Sequence, residues 1–96
     1  MTRLADLARV VRSKNAGPTL LTIDVLFAET AQLERALRVL TPEKIGEIYA
    51  TEAKVIACRP ARAIKIVMPR KVIAGDPGDR DVYGAQQHAP LLGIEV

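Results

Sequence analysis

Apolar residues recur along this chain with two spacings, and the change of spacing marks its elements. Between residues 3 and 12, Leu4, Leu7, Ala8 and Val11 fall at i, i+3, i+4 and i+7, on one face of a short helix. Arg3, Arg9 and Arg12 lie elsewhere, and Thr2 stands where it can cap the start. A strand reading stays open, because Val10 and Val11 are β-branched. Gly17-Pro18 ends the segment, since Gly17 permits positive φ and Pro18 cannot continue a helix. From Thr19 to Phe27 the period becomes two. Leu21, Ile23, Val25 and Phe27 share one strand face, and Leu20, Thr22, Asp24 and Leu26 share the other. Asp24, in the middle of that second face, has to be solvated, paired or at an interface, because an unpaired buried carboxylate is costly.

The helical period returns at Glu29 to Leu40, with Leu33, Ala36, Leu37 and Leu40 as its apolar stripe. Thr41-Pro42-Glu43 starts a second helix with an N-cap, a first-turn proline and an acid at the positive end of the dipole. Ile45, Ile48 and Tyr49 form its buried side. Lys54 to Arg59 and Ala63 to Met68 read as a hairpin around Arg59-Pro60-Ala61-Arg62. Pro69 to Asp81 is a linker rich in turn formers, residues 79 to 89 read as a last helix, and Leu92 to Val96 as a closing strand. Without the N-terminal segment, the order is β-α-β-β-α-β. The expected fold is therefore α+β, a ferredoxin-like sandwich with one antiparallel four-stranded sheet and an extra N-terminal segment. Helices cover one sheet face and leave the other open to a partner or a second copy.

Composition sharpens this picture. The chain's 96 residues make a single domain, 1–96, with a thin core. Phe27, Tyr49 and Tyr83 are the whole aromatic set, so that core is aliphatic. Cys58 is the lone cysteine, which rules out an internal disulfide and, with one histidine, a structural zinc site. Cys58 itself reads as a small core residue. No metal or cofactor is expected. The start Met1-Thr2-Arg3, without an apolar leader, points to a cytoplasmic protein, and no run is long enough for a membrane span. The net charge of +3 is modest and unclustered. Nucleic-acid binding is disfavoured, because the hairpin strands carry no aromatic platforms for bases.

Three constellations carry candidate chemistry. The first is Arg12-Ser13-Lys14-Asn15-Ala16-Gly17, a cation, hydroxyl and amide leading into a glycine turn. It is composed like an anion-binding nest, and equally like a helix stop. It lacks the glycine spacing of a P-loop. The second is residues 79 to 89, where Asp81, Tyr83, Gln86, Gln87 and His88 crowd carboxylate, phenol, amides and the only imidazole together. There Tyr83 or His88 would move a proton near neutral pH, or the stretch is a plain surface helix. The third is the pair Arg59 and Arg62 at the hairpin tip, suited to clamping an anion or to keeping an edge soluble.

The stretches Ser13-Lys14-Asn15-Ala16-Gly17-Pro18 and Asp81-Val82-Tyr83-Gly84-Ala85-Gln86-Gln87-His88-Ala89-Pro90 resemble the signature of a small bacterial domain-of-unknown-function family. Leu40-Thr41-Pro42-Glu43 and Pro60-Ala61-Arg62-Ala63-Ile64-Lys65-Ile66 extend the resemblance over nearly the whole chain. That family is similar to the C-terminal ferredoxin-fold domain of acyclic-terpene-utilisation proteins, where an Arg-Ser-Gly-Asp-Lys-Gly turn stands in place of residues 12 to 17. The resemblance implies a small accessory subunit of a large catalytic protein encoded nearby, in acyl-CoA or hydroxy-acid catabolism. It transfers no catalytic residues.

Three functions follow as expectations. The first is a non-catalytic or co-catalytic subunit that docks through the sheet or through the two signature segments. The second is a protein that binds a carboxylate or acyl-phosphate-like anion with Arg12 and Lys14 and moves a proton with Tyr83 or His88. The third is a self-associating structural module.

Overall fold

The computed structural model describes residues 2–17, 19–69 and 88–96. The chain runs α1 (Leu4–Leu7), β1 (Val10–Asn15), β2 (Leu20–Leu26), α2 (Thr30–Leu37), α3 (Pro42–Tyr49), β3 (Lys54–Cys58) and β4 (Ala63–Pro69). A 3-10 turn at Arg59–Ala61 joins β3 to β4, and another at Ala89–Leu91 opens the C-terminal segment. The strands form one sheet in the order β1-β2-β4-β3, every neighbouring pair antiparallel. The open mixed sheet-and-helix architecture matches expectation.

The source of the edge strand does not. A ferredoxin-like order needs a closing strand at residues 92–96 beside β2. That place belongs to β1, drawn from the segment read as a helix over residues 3–12. Helix survives only at Leu4–Leu7, and its N-cap is Arg3, without a side-chain cap from Thr2. The Thr2 hydroxyl instead accepts a hydrogen bond from Arg35 Nη2 at 3.2 Å. The physical reason is hairpin pairing. Six residues of β1 gain ladder partners from Asn15↔Leu21 to Val10↔Leu26, which a short isolated helix cannot match. Gly17, at φ +85°, makes the turn, and Ala16 N–H donates to Leu20 O at 3.0 Å. Glycine thus serves a hairpin here, in place of the expected helix stop.

Among the described residues, the C-terminal segment makes only an isolated bridge, Arg3↔Glu95, and Leu92–Val96 adds no strand to the sheet. It is tied to the N-terminus by Leu4 N–H to Ile94 O at 2.7 Å and Val96 N–H to Thr2 O at 2.8 Å. Arg35 adds two bonds to the Val96 carbonyl. The expected helix at 79–89 falls mostly outside the described residues.

Strand alternation sorts the two sheet faces. Leu21, Ile23 and Val25 of β2 and Ile64, Ile66 and Met68 of β4 point inward, as their period predicts. They pack under Leu33, Ala36, Leu40 and Ile45 from the helical layer, with Leu4 and Leu91 sealing the end. Thr41 caps α3 through its hydroxyl, which accepts Lys44 N–H at 3.2 Å, and Glu29 and Gln32 form a capping box on α2. Arg62 closes the β3–β4 hairpin at φ +50° without a glycine. Its carbonyl accepts Phe27 N–H at 2.8 Å, which ties the strained turn to the end of β2.

Burial pushes the Tyr49 phenol up to about 12. The fold therefore holds Tyr49 neutral, and that contribution is complete below the phenol's ordinary value near 10. It is lost as pH rises through the folded value. Denaturant midpoints are expected to fall above pH 10, and Tyr49→Phe to flatten that decline.

Candidate functional site

The sheet's two faces decide which signature residues can meet. In β1, Ser13 and Asn15 share the helix-side face, because they pair with the inward residues Ile23 and Leu21. Arg12 and Lys14 lie on the other face, opposite Asp24 and Thr22. The stretch expected to form one anion-holding turn is a strand, and alternation separates its hydroxyl and amide from its cations.

On the helix side, Ser13 meets His88, 75 residues away. Ser13 Oγ accepts the His88 backbone N–H at 3.2 Å and lies 3.3 Å from His88 Nδ1. A neutral ring takes the hydroxyl proton at Nδ1 in one tautomer and donates Nδ1–H to the hydroxyl oxygen in the other. With the ring charged, Nδ1–H donates to the same oxygen. The hydroxyl thus serves either protonation state. Ser13 is only 6% exposed, so its oxygen is poorly placed for nucleophilic attack. The contact instead pins the C-terminal segment to β1. Ser13→Ala would remove the acceptor of the part-buried His88 N–H, and a loss of about 1 kcal/mol is expected, that of a typical hydrogen bond. Faster amide exchange around Leu91 and Ile94 would report it, whereas unchanged exchange there would contradict the pinning role.

Of the remaining candidates, Asp81, Tyr83, Gln86 and Gln87 lie outside the described residues. Arg59 is engaged by α2: its Nε donates to Glu34 Oε1 at 2.7 Å. The hydrogen bond from Arg59 holds the Glu34 carboxyl below its ordinary value. Arg59 is thus already paired across to α2 where the sequence suggested a clamp with Arg62.

The outer face of the sheet carries residues that no motif flagged. Three rows run across it: Val10-Leu26-Ala63-Cys58, Arg12-Asp24-Lys65-Ile56 and Lys14-Thr22-Val67-Lys54. Leu20 and Pro69 extend it at one end. Among the described residues, the exposed large hydrophobics are Val10 at 39%, Leu20 at 40% and Ile56 at 50%, and all three stand on this face. Cys58 is exposed there too, which corrects its reading as a core residue: its strand lies at the sheet edge and its side chain alternates outward. Four cations (Arg12, Lys14, Lys54 and Lys65) face one carboxylate, Asp24. Arg12 Nε approaches Asp24 Oδ2 at 3.9 Å, so the carboxylate is paired and the face stays basic. The strand periods contain the signal for this surface, since Leu20, Asp24 and Lys65 already stand at outward positions. Only the pairing of β1 and β3 completes it.

A cleft of about 660 Å³ opens near the end of this face, walled by Leu20, Pro42, Gly46, Ala53 and Met68 among others. Pro42 and Glu43 of the resembling Leu40-Thr41-Pro42-Glu43 stretch line it, but among the described residues none from Ser13 to Gly17 and none from His88 onward does. No helix among the described residues is long and apolar enough to cross a membrane.

A family model described as a domain of unknown function (DUF4387) matches residues 4–95. No curated protein and no solved structure matches the chain.

Proposed function

The chain belongs to the DUF4387 family, and from the outer sheet face we propose that it is a small accessory subunit that docks on an acidic, partly apolar surface of a larger protein. The carrying observation is that the exposed large hydrophobics and the four strand cations share one face. Exposed apolar surface interleaved with charge of one sign marks an interaction site. Its basic excess selects an acidic partner, because complementary potentials steer association and reject like charge. The same excess opposes face-to-face packing of two copies of this chain, which would set Lys14, Lys54 and Lys65 against their own kind. The thin aliphatic core adds a reason to dock.

The resemblance of the signature segments to the small domain of acyclic-terpene-utilisation proteins supplies the class of partner. It is a large catalytic protein encoded beside this chain, working on acyl-CoA or hydroxy-acid substrates. The contact between Ser13 and His88 belongs to the scaffold of this reading, because it holds the C-terminal segment on the side away from the docking face. Purified together, the two proteins are expected to co-elute as one species at micromolar concentration in low salt and to separate as salt rises. Two separate peaks in low salt would count against the proposal.

A further inference from the structure

The sheet has two edges, and they differ in how they are guarded. Edge strand β1 carries Arg12 and Lys14 within six residues, and its Ser13 holds the C-terminal segment. Charged edge residues and an overlying segment are standard protection against unwanted pairing. Edge strand β3 has the sequence Lys-Val-Ile-Ala-Cys, one charge at its end and four uncharged residues after it. Ile56 at its centre is half exposed. Among the described residues, β3 pairs only with β4, so one side of its backbone offers free N–H and C=O groups.

We infer that β3 pairs antiparallel with β3 of a second copy of this chain, about a two-fold axis at Ile56, to form a continuous eight-stranded sheet. The register follows from the strand itself. Centring on Ile56 matches all five residues, with Ile56 against the partner's Ile56, Val55 against the partner's Ala57, and Lys54 against the partner's Cys58. Moving the axis to Val55 or Ala57 keeps the backbone parity but loses overlap at one end. A one-residue slip sets outward residues against inward ones. In the centred register no two like charges stand directly opposite, and the most exposed apolar side chain meets its own copy. A two-fold contact of this kind is closed, so it yields a dimer and no fibre. It differs from face-to-face packing in leaving both outer faces free and side by side. The dimer thus doubles the basic, apolar surface offered to a partner, yet it stands independently of that partner.

The register makes a covalent test possible. Lys54→Cys places a thiol opposite the partner's Cys58, at the separation of directly paired strand residues. Mild oxidation with diamide is expected to convert most of this variant into a discrete disulfide dimer. The wild-type chain has only Cys58, whose two copies are four residues out of register, about 13 Å apart. It is expected to stay monomeric on a denaturing gel. If both proteins cross-link alike, or neither does, the register is wrong.

A second arm needs no thiol. By sedimentation equilibrium the wild-type mass is expected to rise with concentration to a dimer plateau. Ile56→Asp, which sets two carboxylates against each other on the axis, is expected to shift that rise at least tenfold higher in concentration. An unshifted curve, or indefinite association without a dimer plateau, overturns the inference. Neither arm contains the larger protein, so failure here and failure of the docking reading are separate results.

Discussion

Ile66→Ala is expected to lower the unfolding free energy by about 2–5 kcal/mol, the range for truncating a fully buried aliphatic side chain. Ile66 is in the interior strand β4, with no exposed surface, between Ile23 on one side and Val55 on the other. The helical layer above it is aliphatic and small, so little is available to collapse into the space. A domain this size has a total stability of roughly 5–15 kcal/mol. The loss therefore amounts to a large share of the whole and a fall in Tm of about 4–8 °C for each kcal/mol. Ile56→Ala is the control. Its side chain is half exposed on the outer face, and its cost in isolated, dilute protein is expected to stay below about 1 kcal/mol. Chemical denaturation of the two variants separates the core face from the docking face. Equal losses would mean that the assignment of faces is wrong.

Lys14→Glu combined with Lys65→Glu is expected to weaken binding to the larger protein by on the order of 10- to 100-fold at low salt, mostly through slower association. Both residues are exposed and project from different rows of the outer face. Neither supports the core, so the double variant is expected to keep its denaturation midpoint nearly unchanged. That separation of binding from stability is the informative feature. Glu34→Lys, on α2 at the helical side, reverses a charge too, but it breaks the ion pair with Arg59 and leaves the docking face alone. It is expected to leave affinity nearly constant. Equal effects from the two sides would point to net charge alone.

Much of this architecture is legible along the chain, and the failures have physical causes. The runs 19–27 and 63–68 alternate cleanly because each lies between strands with one face buried, and period two survives. The cap of α3 is readable because Thr41-Pro42-Glu43 satisfies three local preferences together. The N-terminal segment is different. Leu4, Leu7, Ala8 and Val11 fit a helix, and all four do touch the core. The chain nevertheless leaves the helix after Leu7, since pairing with β2 outweighs a marginal local preference.

The candidate site fails to read for the same reason. Once residues 10–15 are a strand, Lys14 and Ser13 belong to opposite faces, and no composition-based nest survives. Cys58 is misplaced because a small residue in a strand looks alike at an edge and in a core; only the sheet order distinguishes them. The contact between Ser13 and His88 spans 75 residues. Nothing local announces it beyond the fact that both signature segments contribute to it.

Docking through the outer sheet face puts that face, and not the helical side, against the larger protein. Methyl-resolved NMR of the isotope-labelled chain, titrated with the unlabelled larger protein, tests it most directly. Methyl signals of Val10, Leu20, Leu26, Ile56 and Val67 are expected to shift or broaden, while those of Leu33, Leu40 and Ile45 hold their positions. Perturbation confined to the helical side, or centred on the segment from His88 to Val96, would contradict it.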